Sequence, residues 1–104
     1  MIVNVHMLAL MEESPLRPVN VPDEQLTGTM NDLDKVYLYG QNDFQPLQFC
    51  SVSAGDVIHW NEKPYLVAAM GFQLLTLEQY VKYINTNHRD QYMMRWDLEK
   101  QAAI

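Results

Sequence analysis

Only one cysteine, Cys50, is present in 104 residues, so an internal disulfide is impossible and a zinc module built on several thiolates is excluded. Glycine and proline are also few, four and five, which rules out a collagenous chain and leaves little composition for broad disorder. Apolar runs such as Leu66 to Met70 fall far short of the roughly 18 residues that span a bilayer, so no membrane association is expected. The opening residues Met1 to His6 lack the basic start and unbroken apolar stretch of a signal peptide, and a cytoplasmic location follows as an expectation. Bases are scarce: seven Lys and Arg stand against thirteen Asp and Glu, for a net charge of -6 and a pI near 4.8. What is plentiful is apolar material, 48% of the chain, enough for one hydrophobic core but not two.

The charge is uneven. Residues 1–62 carry nine acids against Arg17 and Lys35, a net -7, whereas residues 63–104 carry four acids and five bases, a net +1. The acidic part has no Lys/Arg cluster to release counterions from a phosphate backbone, so nucleic-acid binding there is disfavoured. Such a surface suits solubility and, where it has a partner, a basic one.

Along the chain, Ile2 to Met11 begins by alternating Val3, Val5 and Met7 with Asn4 and His6, the period of a half-buried strand. Three prolines between Ser14 and Pro22 restrict that stretch to an extended loop or edge segment. Met30, Leu33, Val36 and Tyr37 recur at helical spacing, with Asn31 or Asp32 as a cap and Gly40 as a left-handed stop, predicting a helix over 31–39. Leu47 to Val52 reads as a short strand, and Val57–Trp60 with Tyr65–Met70 as a hairpin across Asn61-Glu62-Lys63-Pro64, after which Gly71 turns the chain out of the sheet. The strongest helical signal is 77–86. Thr76 and Gln79 have capping-box spacing, Leu77, Tyr80, Val81 and Ile84 form an apolar stripe, and Glu78 pairs with Lys82. The fold class expected is α+β, a small antiparallel sheet or half-barrel with two short helices, in one domain over 1–88. Residues 89–104 show no clean stripe and are expected to form a tail, helical or partly disordered.

The stretch Tyr39 to Pro46, followed by Ser51-Val52-Ser53-Ala54-Gly55-Asp56-Val57-Ile58, Tyr65-Leu66-Val67 and Gly71-Phe72, resembles the YodL-like small domain of phage, plasmid and conjugative-element proteins. The likeness covers about residues 32–73. It implies a mobile-element origin and brings no activity, substrate or catalytic residue. Physically the same motif can be structural, with Gly55 and Asp56 setting a turn and Val57 and Ile58 filling a strand.

Sites of chemistry are few. His6, His59, His88 and Cys50 have no metal-ligand spacing, and neither metal nor cofactor is expected. Cys50 and His59 could form a thiol–imidazole pair across adjacent strands, against the plainer reading of a small buried thiol. Asp32, Asp34 and Asp43 could hold a cation, but positions two apart on a helix diverge, which favours first-turn acids. The four glycines are too dispersed for a phosphate cradle. Eleven aromatic residues exceed what one small core needs, and Tyr, Trp and Met are enriched in interface cores. Tyr83, Tyr92, Met93, Met94 and Trp96 are therefore the candidate interaction patch. The function expected is a non-enzymatic protein-interaction domain of a phage or mobile element, acting in the host cytoplasm on a basic host protein and able to form a homodimer. The alternatives are a small enzyme or ligand-binding half-barrel using Cys50 and His59, and nucleic-acid binding through Lys82, Arg89, Arg95 and Lys100 with Trp96.

Overall fold

The computed structural model describes residues 1–9, 16–41, 51–69 and 71–102. Its strands are β1 (Ile2–His6), β2 (Leu16–Asn20), β3 (Val57–Trp60), β4 (Lys63–Val67) and β5 (Phe72–Leu74); its α-helices are α1 (Asp32–Tyr39), α2 (Leu77–Ile84) and α3 (His88–Ala102). The five strands form an open sheet in the order β2-β1-β3-β4-β5, with every neighbouring pair antiparallel. This is the α+β architecture expected, with helices on both faces of the sheet. Alternation assigns the faces: Val3, Val5, Val19, Ile58, Tyr65 and Val67 lie in one cluster, closed by Leu33 and Val36 of α1. Leu8, Val57 and Leu66 lie in the other, closed by Tyr83 of α2 and Leu98 of α3. Such alternation follows from the period of two in a strand.

β1 ends at His6, short of the strand expected to Met11. Met7 and Leu8 continue to alternate between the two cores, but the next amide, Ala9 N, donates to the Asp56 carboxylate at 2.8 Å and leaves the ladder. The proline-rich segment becomes edge strand β2, where Pro18 lies against Asn4 and an edge position tolerates its missing donor. Its Arg17 is 2% exposed and donates from Nη1 to the Gly40 carbonyl at 3.2 Å. In the hairpin only Asn61 and Glu62 form the turn, with φ of 53° and 62°, and Lys63 and Pro64 already belong to β4. Two left-handed residues in succession match the twist of flanking strands. After Gly71 the chain does not leave the sheet: it returns as β5, with Leu74, Gln73 and Phe72 opposite Tyr65, Leu66 and Val67. Of the strand expected over Leu47 to Val52, residues 47–50 lie outside the described residues, and Ser51 and Val52 are not in a strand.

Gly40 ends α1, but in a right-handed conformation, φ -80° and ψ -1°, and the reason for glycine is space. A Cβ there would collide with Cγ2 of Val52 and approach the Val36 carbonyl at 3.0 Å. We expect Gly40→Ala to lose about 1–3 kcal/mol through overpacking, and the double variant with Val52→Ala to recover part of it. Urea unfolding of the four proteins of that cycle checks this, and strictly additive losses would refute the steric account.

Candidate functional site

On the helical face above β1 and β3, three polar side chains meet. The Tyr80 hydroxyl lies 2.8 Å from His6 Nδ1 and 2.9 Å from His59 Nε2. The register explains the meeting: Asn4 lies opposite His59 and His6 opposite Val57, so the two histidines are diagonal neighbours on one face, and α2 lowers Tyr80 between them. Both imidazoles meet the phenol ring edge-on, with centroids 6.1 and 5.2 Å away. A hydroxyl has one proton to give and lone pairs to accept, so the group is fully satisfied when one imidazole presents a bare nitrogen and the other an N–H. Burial, and then the nearby charge of His6, holds the His59 pKa below the ordinary histidine value. Burial pushes the Tyr80 phenol upward. The composition of β1 shows His6 on the polar side of the strand, but nothing local in the sequence brings it to His59. The cluster binds α2 to the sheet. Of the expected thiol–imidazole pair, His59 Nε2 is engaged by Tyr80, and Cys50 lies outside the described residues.

The Gly-Asp-Val-Ile motif lies at the end of this face. Asp56 Oδ1 accepts from Ala9 N and Oδ2 from Ser53 N, both at 2.8 Å, while its own carbonyl accepts from Val67 N at 2.8 Å. Burial raises the Asp56 pKa, against hydrogen bonds from Ala9, Ser53 and Leu8 amides and the charge of His6. The neighbouring carbonyls are held by the helices: Tyr83 donates to Gly55 O at 2.6 Å and Arg95 Nη1 to Ala54 O at 3.0 Å. Gly55 has φ +103°, and a Cβ on it would come within 3.1 Å of both Ala9 and Arg95. Both the backbone and the packing demand glycine there. The motif is thus a structural junction joining the end of β1, the start of β3, α2 and α3.

The candidate interaction residues separate. Tyr83 is 1% exposed and belongs to the core, so it is no part of a surface. Met94 is half-buried against that core. Met93 and Trp96, three apart on α3, are 61% and 47% exposed. The side chain of Tyr92 lies outside the described residues. α2 buries only part of the stripe expected: Tyr80 and Ile84 turn inward as read, joined by Tyr83, whereas Leu77 and Val81 are 74% and 44% exposed. The capping box forms as expected, with Gln79 N donating to Thr76 Oγ1 and Thr76 N to Gln79 Oε1. Between α2 and α3 runs a groove of about 610 Å³ lined by Glu78, Lys82, Asp90, Met94, Asp97 and Leu98, among others. Lys82 and Glu78 make no ion pair; among the described residues the single one joins the N-terminus to Asp23, at 2.7 Å.

Asp32 is buried and ties down the loop before α1, accepting from Thr27 N, Thr27 Oγ1 and Gly28 N. Burial alone would raise its pKa, but these three bonds outweigh it and hold the carboxyl below the usual value. Asp34 is exposed and Asp43 lies outside the described residues. No group of three or more His, Cys, Asp or Glu suited to a metal occurs among the described residues. Of the bases considered for nucleic acid, Arg95 is turned into the fold toward Ala54, Lys82 lies beside the groove carboxylates, and the side chains of Arg89 and Lys100 lie outside the described residues. No helix among the described residues is long and apolar enough to cross a membrane. Comparison with protein-family models, curated proteins and solved structures finds no match to this chain.

Proposed function

We propose that the chain is a non-enzymatic protein-binding domain whose partner meets the outer side of α3. The observation that carries this reading is the exposure of Met93 and Trp96 on a helix whose other side is docked through Gln91 and Leu98. A helix docked on the fold holds such side chains at little further entropic loss, Met and Trp are enriched at interfaces, and Trp is enriched in binding hot spots. The Gly-Asp-Val-Ile motif, being structural, supplies no competing chemistry. From the resemblance to small domains of mobile elements we place the partner in the host cell, and the net charge of -6 of the whole chain favours a basic protein.

A photo-crosslinking residue substituted for Trp96 tests this. The expected result is one discrete adduct, with a foreign protein or with a second copy, that is lost when Met93 is also changed to Ser. A diffuse set of adducts insensitive to Met93→Ser overturns the reading.

A further inference from the structure

We infer that the groove between α2 and α3 seats a basic segment of the partner, one that sets Lys or Arg side chains beside apolar ones; this rests on the protein-binding reading above. The floor of the groove is apolar, formed by half-buried Met94 and buried Leu98. Its walls carry the carboxylates of Glu78, Asp90 and Asp97 against a single ammonium, Lys82. None of these four is ion-paired among the described residues, and three carboxylates against one ammonium give the groove lining a net negative charge. Complementary charge fixes register and speeds encounter, and the stems of Lys and Arg can lie along an apolar floor while their heads reach the walls.

The form of the field selects the form of the ligand. The carboxylates do not converge into a group that could hold a metal ion; they are distributed along two helices, which suits a linear series of cations better than a point charge. A phosphate backbone would meet the same carboxylates and be repelled. The volume of about 610 Å³ lies within the roughly 300–1,000 Å³ of ligand clefts, enough for a few side chains of a segment. The exposed apolar pair adjoins the groove through Met93, which stands three residues after Asp90 and four before Asp97 on α3 and so neighbours both, with Trp96 three residues further on. A bound segment therefore continues onto a ready apolar anchor.

The probe is a fluorescein-labelled peptide of repeated Leu-Lys-Lys units, titrated by anisotropy at low salt into the full chain, with a Leu-Glu-Glu peptide and spermidine as comparisons. The Leu-Lys-Lys peptide is expected to bind and to weaken as salt rises. The variant combining Glu78→Gln, Asp90→Asn and Asp97→Asn should weaken it by about tenfold, the sum of three exposed charge contributions, and Lys82→Glu should strengthen it. Equal binding to the neutralised variant with no gain from Lys82→Glu overturns the groove. So does displacement of the peptide by an equal concentration of spermidine, which would make the site one for free polyamines. Either failure leaves the adduct at Trp96 standing, whereas loss of that adduct with peptide binding intact strikes only the wider reading.

Discussion

Changing Asp56 to asparagine is expected to lower the unfolding free energy by about 1–3 kcal/mol, and changing it to leucine by roughly twice that, measured by urea unfolding at neutral pH. The two oxygens of the carboxylate have separate tasks, Oδ1 accepting from Ala9 N and Oδ2 from Ser53 N. An asparagine keeps one oxygen and turns an NH2 toward the other amide, so one buried donor faces a donor. Leucine leaves both without acceptors. The charge itself is not the source of the stability. Burial raises the folded pKa above the ordinary 3.8, so between those two values the folded state holds the proton more firmly than the unfolded one, and Asp56 adds stability as the pH falls through that window and withdraws it as the pH rises. The loss at neutral pH therefore reports orphaned amides and not a missing anion. A leucine variant within 0.5 kcal/mol of the parent, roughly the range of a neutral surface change, would show that the junction is not held by this side chain.

That junction also shows where the sequence is legible and where it is not. Thr76 with Gln79 announces a helix start because both partners of the capping box lie within one turn, and the pair forms as read. The hairpin of β3 and β4 is equally local. What α2 buries is only half legible from its apolar residues, Tyr80 and Ile84 being inward as read. Leu77 and Val81 look like core, yet Tyr80 and Tyr83 take the inner face because their hydroxyls find partners on the sheet side, the histidines and Gly55 O. A hydrophobic stripe scores the rings and ignores the hydroxyls. α3 hides its inner face for a similar reason, since Gln91 and Arg95 donate inward to Tyr83 O and Ala54 O, and polar residues so used read as solvent-facing. Arg17 is the extreme case, a counted surface charge that is buried. Long-range pairing accounts for the rest: β1 lies beside β3, and no spacing in the chain announces that His6 and His59 share one hydroxyl. The groove depends in turn on the docking of α3, which its mixed pattern does not foretell.

Stability is expected to decline as the pH is lowered from 6.5, and replacing His59 by glutamine to flatten that decline. In the unfolded chain His59 titrates near 6.5; in the fold, burial and the His6 charge lower its pKa. Between the two values the unfolded state binds more protons, so the contribution of His59 is complete above 6.5 and is lost as the pH falls toward the folded value. One proton sets a ceiling of about 1.4 kcal/mol per pH unit, which solvent around a half-buried ring reduces. A glutamine carbonyl can still accept from the Tyr80 hydroxyl and does not titrate. Tyr80→Phe is the complementary change: it keeps the edge-on ring contacts and deletes the atom shared by His6 and His59, for a loss of about 1–3 kcal/mol at neutral pH from two hydrogen bonds. It also acts at the other end of the scale. The buried phenol titrates above its ordinary 10, so above that pH the unfolded chain loses its proton first and stability falls as the pH rises; Tyr80→Phe removes that alkaline loss and leaves the acid one. Urea midpoints across the pH range for the three proteins separate these effects, because each variant should flatten one limb and spare the other. Coincident curves for all three, with neither offset nor difference in slope, would mean that the hydroxyl shared by two imidazoles contributes nothing to the docking of α2, leaving that to the packing of Tyr83 and Leu98 and to the hydrogen bond from Tyr83 to Gly55 O.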